Sequence, residues 1–198
     1  MEMDFMERQA PFRSKLYIPG LILLLLIIVW IGVKAKWTDQ VFVKIGDAHL
    51  IQANGICYYN NKPLTGCIYE RFPDGTFAKQ IPYINGRQDG LMHFWYPDRT
   101  LQQERLFVDG KKQGVHKGWW PNGKLKFEYS FNNDEYNGSV KEWYESGKLC
   151  RFFHYSMGHE DGLQQMWWDN GTTRANYVVK DGQQYGLIGR KLCRNLTK

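Results

Sequence analysis

The sequence predicts an all-β fold: an elongated antiparallel β-meander of tandem 24-residue β-hairpin repeats, plus one N-terminal transmembrane helix. Three observations predict it. Gly66, Gly90, Gly114, Gly138, Gly162 and Gly186 recur at an unbroken spacing of 24 residues, and self-similarity at a fixed period marks a repeat architecture. Turn dipeptides recur inside the units, at Asp74-Gly75, Asn122-Gly123, Ser146-Gly147 and Asn170-Gly171, and again around Gly86, Gly110, Gly158 and Gly182. An uncharged apolar run, Leu16 to Val33, precedes them all.

Residues 1–15 read as a short tail in which Arg8, Arg13 and Lys15 are balanced by Glu2, Asp4 and Glu7, so the formal charge of +6 belongs to the region after residue 33. Residues 16–33 approach the length and hydrophobicity of a bilayer crossing, with Leu21 to Val29 unbroken aliphatic. Tyr17 on one flank, and Trp30 and Trp37 on the other, stand where amphipathic rings favour the headgroup layer. The competing reading is a secretory signal cleaved near Ala35, against which stands a long tail carrying as many acids as bases. A short tail before a first hydrophobic segment usually stays inside, which places the repeat domain outside the cytoplasm as part of a single-pass membrane protein. Residues 34–49 are expected to form a linker, and 50–198 the repeat domain, with partial copies at both ends.

Each copy, counted from its glycine as place zero, follows one grammar. Trp95, Trp119, Trp143 and Trp167 hold place five, and Phe72, Tyr96, Trp120, Tyr144 and Trp168 hold place six. Asn-Gly and Asp-Gly at places eight and nine predict type I′ turns, which accept positive φ at both centres and match strand twist. With place six set opposite place eleven, alternation puts places two, four, six, eleven, thirteen and fifteen on one side. That side gathers the place-six rings with Phe77, Leu101, Leu125 and Leu149, and with Ile81, Tyr129, Phe153 and Tyr177. No single hairpin could bury such a row alone, so stability is expected from copies stacked in series. The reverse side combines Trp95, Trp119, Trp143 and Trp167 with Lys124, Lys126, Lys148 and Arg174, and is the candidate binding face.

The motif Gly-x4-Trp-Tyr-x2-Gly, followed by a further aromatic and a glycine turn, resembles the variant MORN repeat, particularly the bacterial YwqK-type antitoxins, over residues 55 to about 190. The resemblance implies an extended β-sheet used for protein contact or membrane association, with no catalytic residues. Arg99 stands where copy two should have its turn glycine, Arg71 where copy one should have its tryptophan, and Asn133-Asp134 where copy three should close on glycine.

His49, His93, His116, His154 and His159 fall at unrelated places, so no shared metal or catalytic spacing emerges, and no cofactor, small-molecule substrate or enzyme activity is expected. The run Gly158-His159-Glu160-Asp161-Gly162 aligns with the turns at Gly86, Gly110 and Gly182. Cys57, Cys67, Cys150 and Cys193 include no CxxC pair. An exported domain permits disulfides, and Cys57 with Cys67, flanking one hairpin, is the pair to test first. The expected partner is another envelope protein. Anionic lipid or, by analogy with the antitoxin relatives, a neutralised toxin are the alternatives, and export leaves no nucleic acid to bind.

Overall fold

The computed structural model describes residues 40–189, and the chain there is drawn into strands by two kinds of turn that alternate. The meander begins with β1 (Val41–Lys44). A small set comes next, β2 (Leu50–Ala53), β3 (Ile56–Tyr59) and β4 (Lys62–Pro63). Copy one is then β5 (Gly66–Arg71), β6 (Phe77–Ile84) and β7 (Arg87–Gln88). Copy two is β8 (Gly90–Trp95), β9 (Leu101–Val108) and β10 (Lys111–Lys112), and copy three β11 (Gly114–Trp119) and β12 (Leu125–Asn132). Copies four and five are β13 (Glu135–Trp143) with β14 (Leu149–Ser156), and β15 (His159–Trp167) with β16 (Thr173–Lys180); β17 (Gln183–Leu187) ends the set. The long sheet runs β1-β5-β6-β8-β9-β11-β12-β13-β14-β15-β16-β17, antiparallel throughout except where β1 pairs parallel with β5. The candidate membrane segment, 16–33, lies outside the described residues; among those described, no helix is long and apolar enough to cross a membrane.

The type I′ chemistry expected at places eight and nine is found instead at the closing turns. At places eight and nine only the second residue is left-handed: Gly75, Gly123, Gly147 and Gly171 have positive φ, whereas Asp74, Asn122, Ser146 and Asn170 do not. Phe72 donates its N–H to the Thr76 carbonyl at 2.8 Å and Gly75 to the Phe72 carbonyl at 2.9 Å, which is a type I turn followed by a left-handed residue. Pro73, Pro97 and Pro121 at place seven carry the signal, because proline fixes φ for the first centre of such a turn. The side chain at place eight then accepts the N–H at place ten, as Asp74 does from Thr76 and Asn122 from Lys124. The type I′ turns are the closing ones, where both centres are left-handed: Asn85-Gly86, Asp109-Gly110, Asn133-Asp134, Met157-Gly158 and Asp181-Gly182.

Arg99 occupies the left-handed position at φ +72°, a conformation that costs a non-glycine residue about 1 kcal/mol. Its only ion pair among the described residues, to Asp74 at 4.0 Å, is exposed and contributes little. Arg99→Gly is therefore expected to raise the thermal midpoint by about 2–4 °C, measured by a melting curve.

A bulge corrects the expected faces. In every copy the register shifts just before place five, so that Trp119 pairs with Leu125, Trp143 with Leu149 and Trp95 with Leu101. Place eleven therefore lies with the tryptophans and not with the place-six rings. The remaining pairs keep the expected alternation: Gly118 faces Phe127 and His116 faces Tyr129. One side of the sheet, the core face, carries places two, four, thirteen, fifteen and seventeen. The other, the open face, carries one, three, five, eleven, fourteen and sixteen.

The N-terminal stretch does not extend the meander as a partial copy. Strands β2, β3 and β4 form a separate three-stranded sheet, and β1 lies inside the stretch expected as a linker. Val43, Cys57, Leu64, Ile68 and Tyr83 form one buried cluster there, so this end of the core face is covered. Cys57 and Cys67 are both free thiols. Cys57 enters the cluster beside Ile68, whereas Cys67, one residue earlier on β5, stands on the opposite face by alternation. Burial pushes both thiols up from their usual range, which lowers their thiolate reactivity.

Candidate functional site

The core face is held by a ladder of rings passed from copy to copy. Phe107 meets His116 at 5.5 Å, His116 meets Phe131 at 4.6 Å, Phe131 stacks on Tyr136 at 4.7 Å, and Tyr136 meets Tyr155 at 5.2 Å. Phe153 continues it to Tyr177 at 6.3 Å. Aromatic pairs at such separations add about 0.5–1.5 kcal/mol each beyond burial. Place seventeen, as Tyr83, Phe107, Phe131 and Val179, is among the most buried of the described residues, and the aromatic series Tyr83, Phe107, Phe131 and Tyr155 at the 24-residue spacing is the sequence signal that marks it. The Tyr177 hydroxyl, buried and donating to Glu160 at 3.1 Å, is pushed up to about 12 by burial first and by that carboxylate second.

Two hydrogen-bond series stitch successive copies along the edges. On the hairpin tips, the Tyr96 hydroxyl donates to the Trp119 carbonyl, Trp120 Nε1 to the Trp143 carbonyl, and the Tyr144 hydroxyl to the Trp167 carbonyl, all at 2.9–3.0 Å. A donor at place six thus reaches the next copy in copies two to four, which explains why that place holds tyrosine or tryptophan there, whereas copy one has Phe72. On the closing edge, Thr65, Asp89 and Gln113 accept the backbone N–H of Asn85, Asp109 and Asn133 at 2.9–3.0 Å. Each holds the first residue of the type I′ turn beside it.

His116 and Gln164, both at place two, are buried polar side chains, 2% and 0% exposed. Each satisfies backbone where the preceding strand departs from regular pairing. His116 Nε2–H donates to the Leu106 carbonyl at 2.8 Å, and Gln164 Nε2 to the His154 carbonyl at 2.7 Å. Burial, aided by Arg105 and Lys112, holds the His116 pKa below its ordinary value despite that hydrogen bond. The unfolded chain therefore takes up this proton first as pH falls. The stabilisation is whole above about 6.5, the unfolded value, and is lost as pH drops towards the lowered folded value. Urea midpoints measured from pH 7.5 to 5 should fall, by at most about 1.4 kcal/mol per pH unit for one proton. His116→Gln, which keeps a donor for Leu106, should flatten that slope.

The open face carries three parallel rows. Nearest the tips, Trp95, Trp119, Trp143 and Trp167 alternate with Leu101, Leu125 and Leu149, all half-buried. Arg71, in the tryptophan's place in copy one, lies over the Phe77 ring at 3.8 Å. A middle row alternates in charge, His93-Glu104-Lys117-Glu128-Lys141, each directly opposite the next, with Lys141 and Glu128 in contact at 3.1 Å. A third row is apolar at both ends: Leu91 pairs with Leu106 and Leu163 with Val178, while Ser130, Ser139 and His154 occupy the middle.

The structure separates the residues the sequence grouped together. The four tryptophans share the open face as expected, but the four cations do not. Lys126 lies over the Trp120 ring at 4.4 Å and Arg174 over the Trp168 ring at 4.6 Å, because the bulge turns place twelve towards the place-six rings. Lys124 and Lys148 reach along the tips, their ammonium groups donating to the Ser146 and Asp169 carbonyls at 2.7 Å. An open trough of about 330 Å³ lined by Trp120, Lys126, Tyr129, Glu142 and Tyr144 lies on the core side. Among the described residues, no three of His, Cys, Asp and Glu converge as a metal site would require.

The family model for the MORN repeat variant matches residues 112–133 and 136–155. These stretches fall on copies three and four, so the central hairpins are similar to the variant MORN repeat, and the other copies share their 24-residue register. No curated protein matches the chain.

Proposed function

We propose that the chain is a membrane-anchored, non-catalytic scaffold that docks another protein of the cell envelope on its open face. Residues 16–33 serve as the anchor, and the repeat domain stands outside the cytoplasm. The observation that carries this reading is how unevenly exposed apolar side chains are distributed. Phe42, Ile84, Leu91, Val108 and Val115 at one end, and Leu163, Val178 and Tyr185 at the other, are each 40% exposed or more and all belong to the open face. Two apolar patches on one face, separated by Ser130, Ser139 and His154, mark contact sites, and the half-buried tryptophans beside them are the residue type that dominates protein contacts. Variant MORN repeats serve as protein- or lipid-interaction modules, in keeping with this use. The lipid alternative finds less support: Lys124, Lys126, Lys148 and Arg174 are engaged by carbonyls or rings, and are not free to meet headgroups. No feature of the open face singles out a toxin as the protein docked.

A photo-crosslinking residue at position 115 of the full chain in native membranes should yield a protein adduct, whereas one at position 122, on a hairpin tip, should not. Leu91→Lys, on the neighbouring part of the open face, should remove that adduct and leave the unfolding midpoint unchanged. Adducts of equal yield from both positions would overturn the reading.

A further inference from the structure

We infer that the protein docked on the open face is a second copy of this chain, stacked face to face and antiparallel about a two-fold axis between β11 and β12. The inference rests on the docking reading above and names its partner.

Twelve strands form the main path of the sheet, and the β11/β12 boundary divides them six and six. A two-fold axis along the strands at that boundary returns each row to itself in reverse order, as an isologous interface requires. The middle row is then complementary in charge: Lys117 meets Glu128 of the second copy and Glu104 meets its Lys141, each contact occurring twice. The tip row becomes complementary in size over its central six strands, because the same operation sets Trp119 over Leu125, Leu101 over Trp143, and Trp95 over Leu149, with Phe77 over Trp167 beyond them. Facing sheets interdigitate large and small side chains across about 10 Å, and this register supplies them without a clash of two tryptophans. In the third row the apolar ends exchange, Phe42 meeting Tyr185 and Pro82 meeting Leu163. The axis thus satisfies the charged row and the central six strands of the tip row together, while in the third row Leu91, Leu106 and Val115 come over His154, Ser139 and Ser130 of the second copy.

Size agrees with this arrangement. Twelve strands about 4.8 Å apart, with rows spanning some five residues at about 3.3 Å each, present about 950 Å² per copy, against about 800 Å² in a standard interface. A single-layer sheet with one open face also lacks the second layer that domains ordinarily have.

The full chain, solubilised in dodecyl maltoside, should show by light scattering twice the 23.4 kDa protein mass of one chain. Lys117→Glu and Glu128→Lys should each weaken the dimer at least tenfold, by placing like charges across the axis twice, while circular dichroism stays that of the parent and the like charges set side by side within one copy lower the melting midpoint by about 2–4 °C. An equimolar mixture should restore dimers, because the mixed pair regains both contacts. A monomeric parent, or a mixture that does not recover, overturns the inference. If the parent is monomeric while Leu91→Lys still abolishes the position-115 adduct to a different protein, the docking reading stands and the second copy falls. A dimer indifferent to all three substitutions removes the open face from both.

Discussion

Replacing Phe131 by alanine should lower the unfolding free energy by about 4 kcal/mol, the largest loss expected from any single truncation of the ring ladder. Phe131 is buried at the closing end of β12, where it contacts His116 of its own hairpin and stacks on Tyr136 at the start of the next strand. Its removal therefore opens a cavity at the junction of two copies and also strips Lys112, which lies 5.2 Å over the ring, of its aromatic partner. Because each hairpin is stabilised chiefly by its neighbours, a lesion in the middle copy should uncouple the two halves. Urea unfolding followed by tryptophan fluorescence should show a lower midpoint and a broadened transition. Truncation at the terminal copy, Val179→Ala, should cost about 1–2 kcal/mol and leave the transition sharp.

Gly86→Ala should cost about 3 kcal/mol, and Gly182→Ala about 1 kcal/mol, although both glycines hold the same position of a type I′ turn. Their φ values are close, +79° and +74°. The difference lies in what an added Cβ would meet. At Gly182 there is nothing within 4 Å, whereas at Gly86 it would strike the Ile56 side chain and come within 2.7 Å of the Cys57 carbonyl oxygen. That turn is the seat of the N-terminal cap: Gly86 donates to the Leu64 carbonyl and accepts from the Cys57 N–H, both at 2.7 Å. Backbone cannot move aside as a flexible side chain can, so the cap must lift. Paired denaturation curves give the comparison directly, and equal losses at the two positions would mean that the cap does not bear on this turn.

The parts of the fold legible in the sequence are those set by periodicity. The 24-residue spacing of glycine and the turn dipeptides fixed the hairpins, the meander and the face on which Tyr129, Phe153 and Tyr177 would lie. Glycine pairs alone did not distinguish the turn types, since Asn-Gly suits a type I′ centre and also the end of a type I turn. Pro73, Pro97 and Pro121 held the deciding information at the preceding place. The bulge at place five arises from those turns, and it moved Leu125 and its equivalents, together with Lys126 and Arg174, to the opposite side from the one expected. Cross-copy hydrogen bonds such as Tyr96 to Trp119 are visible in sequence only as a preference for polar-tipped rings, which also fits an exposed row. His116 and Gln164 looked like isolated polar residues because the strand irregularities they satisfy leave no mark in periodicity. Residues 50–62 imitate the repeat pattern with Gly55 and Asn60-Asn61, yet they pair among themselves, because a chain crossing the end of the core face can bury Cys57 and Leu64 only by leaving the sheet plane.

The division of labour between the two faces is tested most directly by scanning both in the full chain, scoring unfolding midpoint and position-115 crosslink yield for each variant. Substitutions at Leu91 and Leu163 should abolish the crosslink with the midpoint preserved, and substitutions at Phe131 and Phe153 should lower the midpoint. Open-face variants that unfold the domain as severely as Phe131→Ala, or that crosslink as well as the parent, would contradict the account.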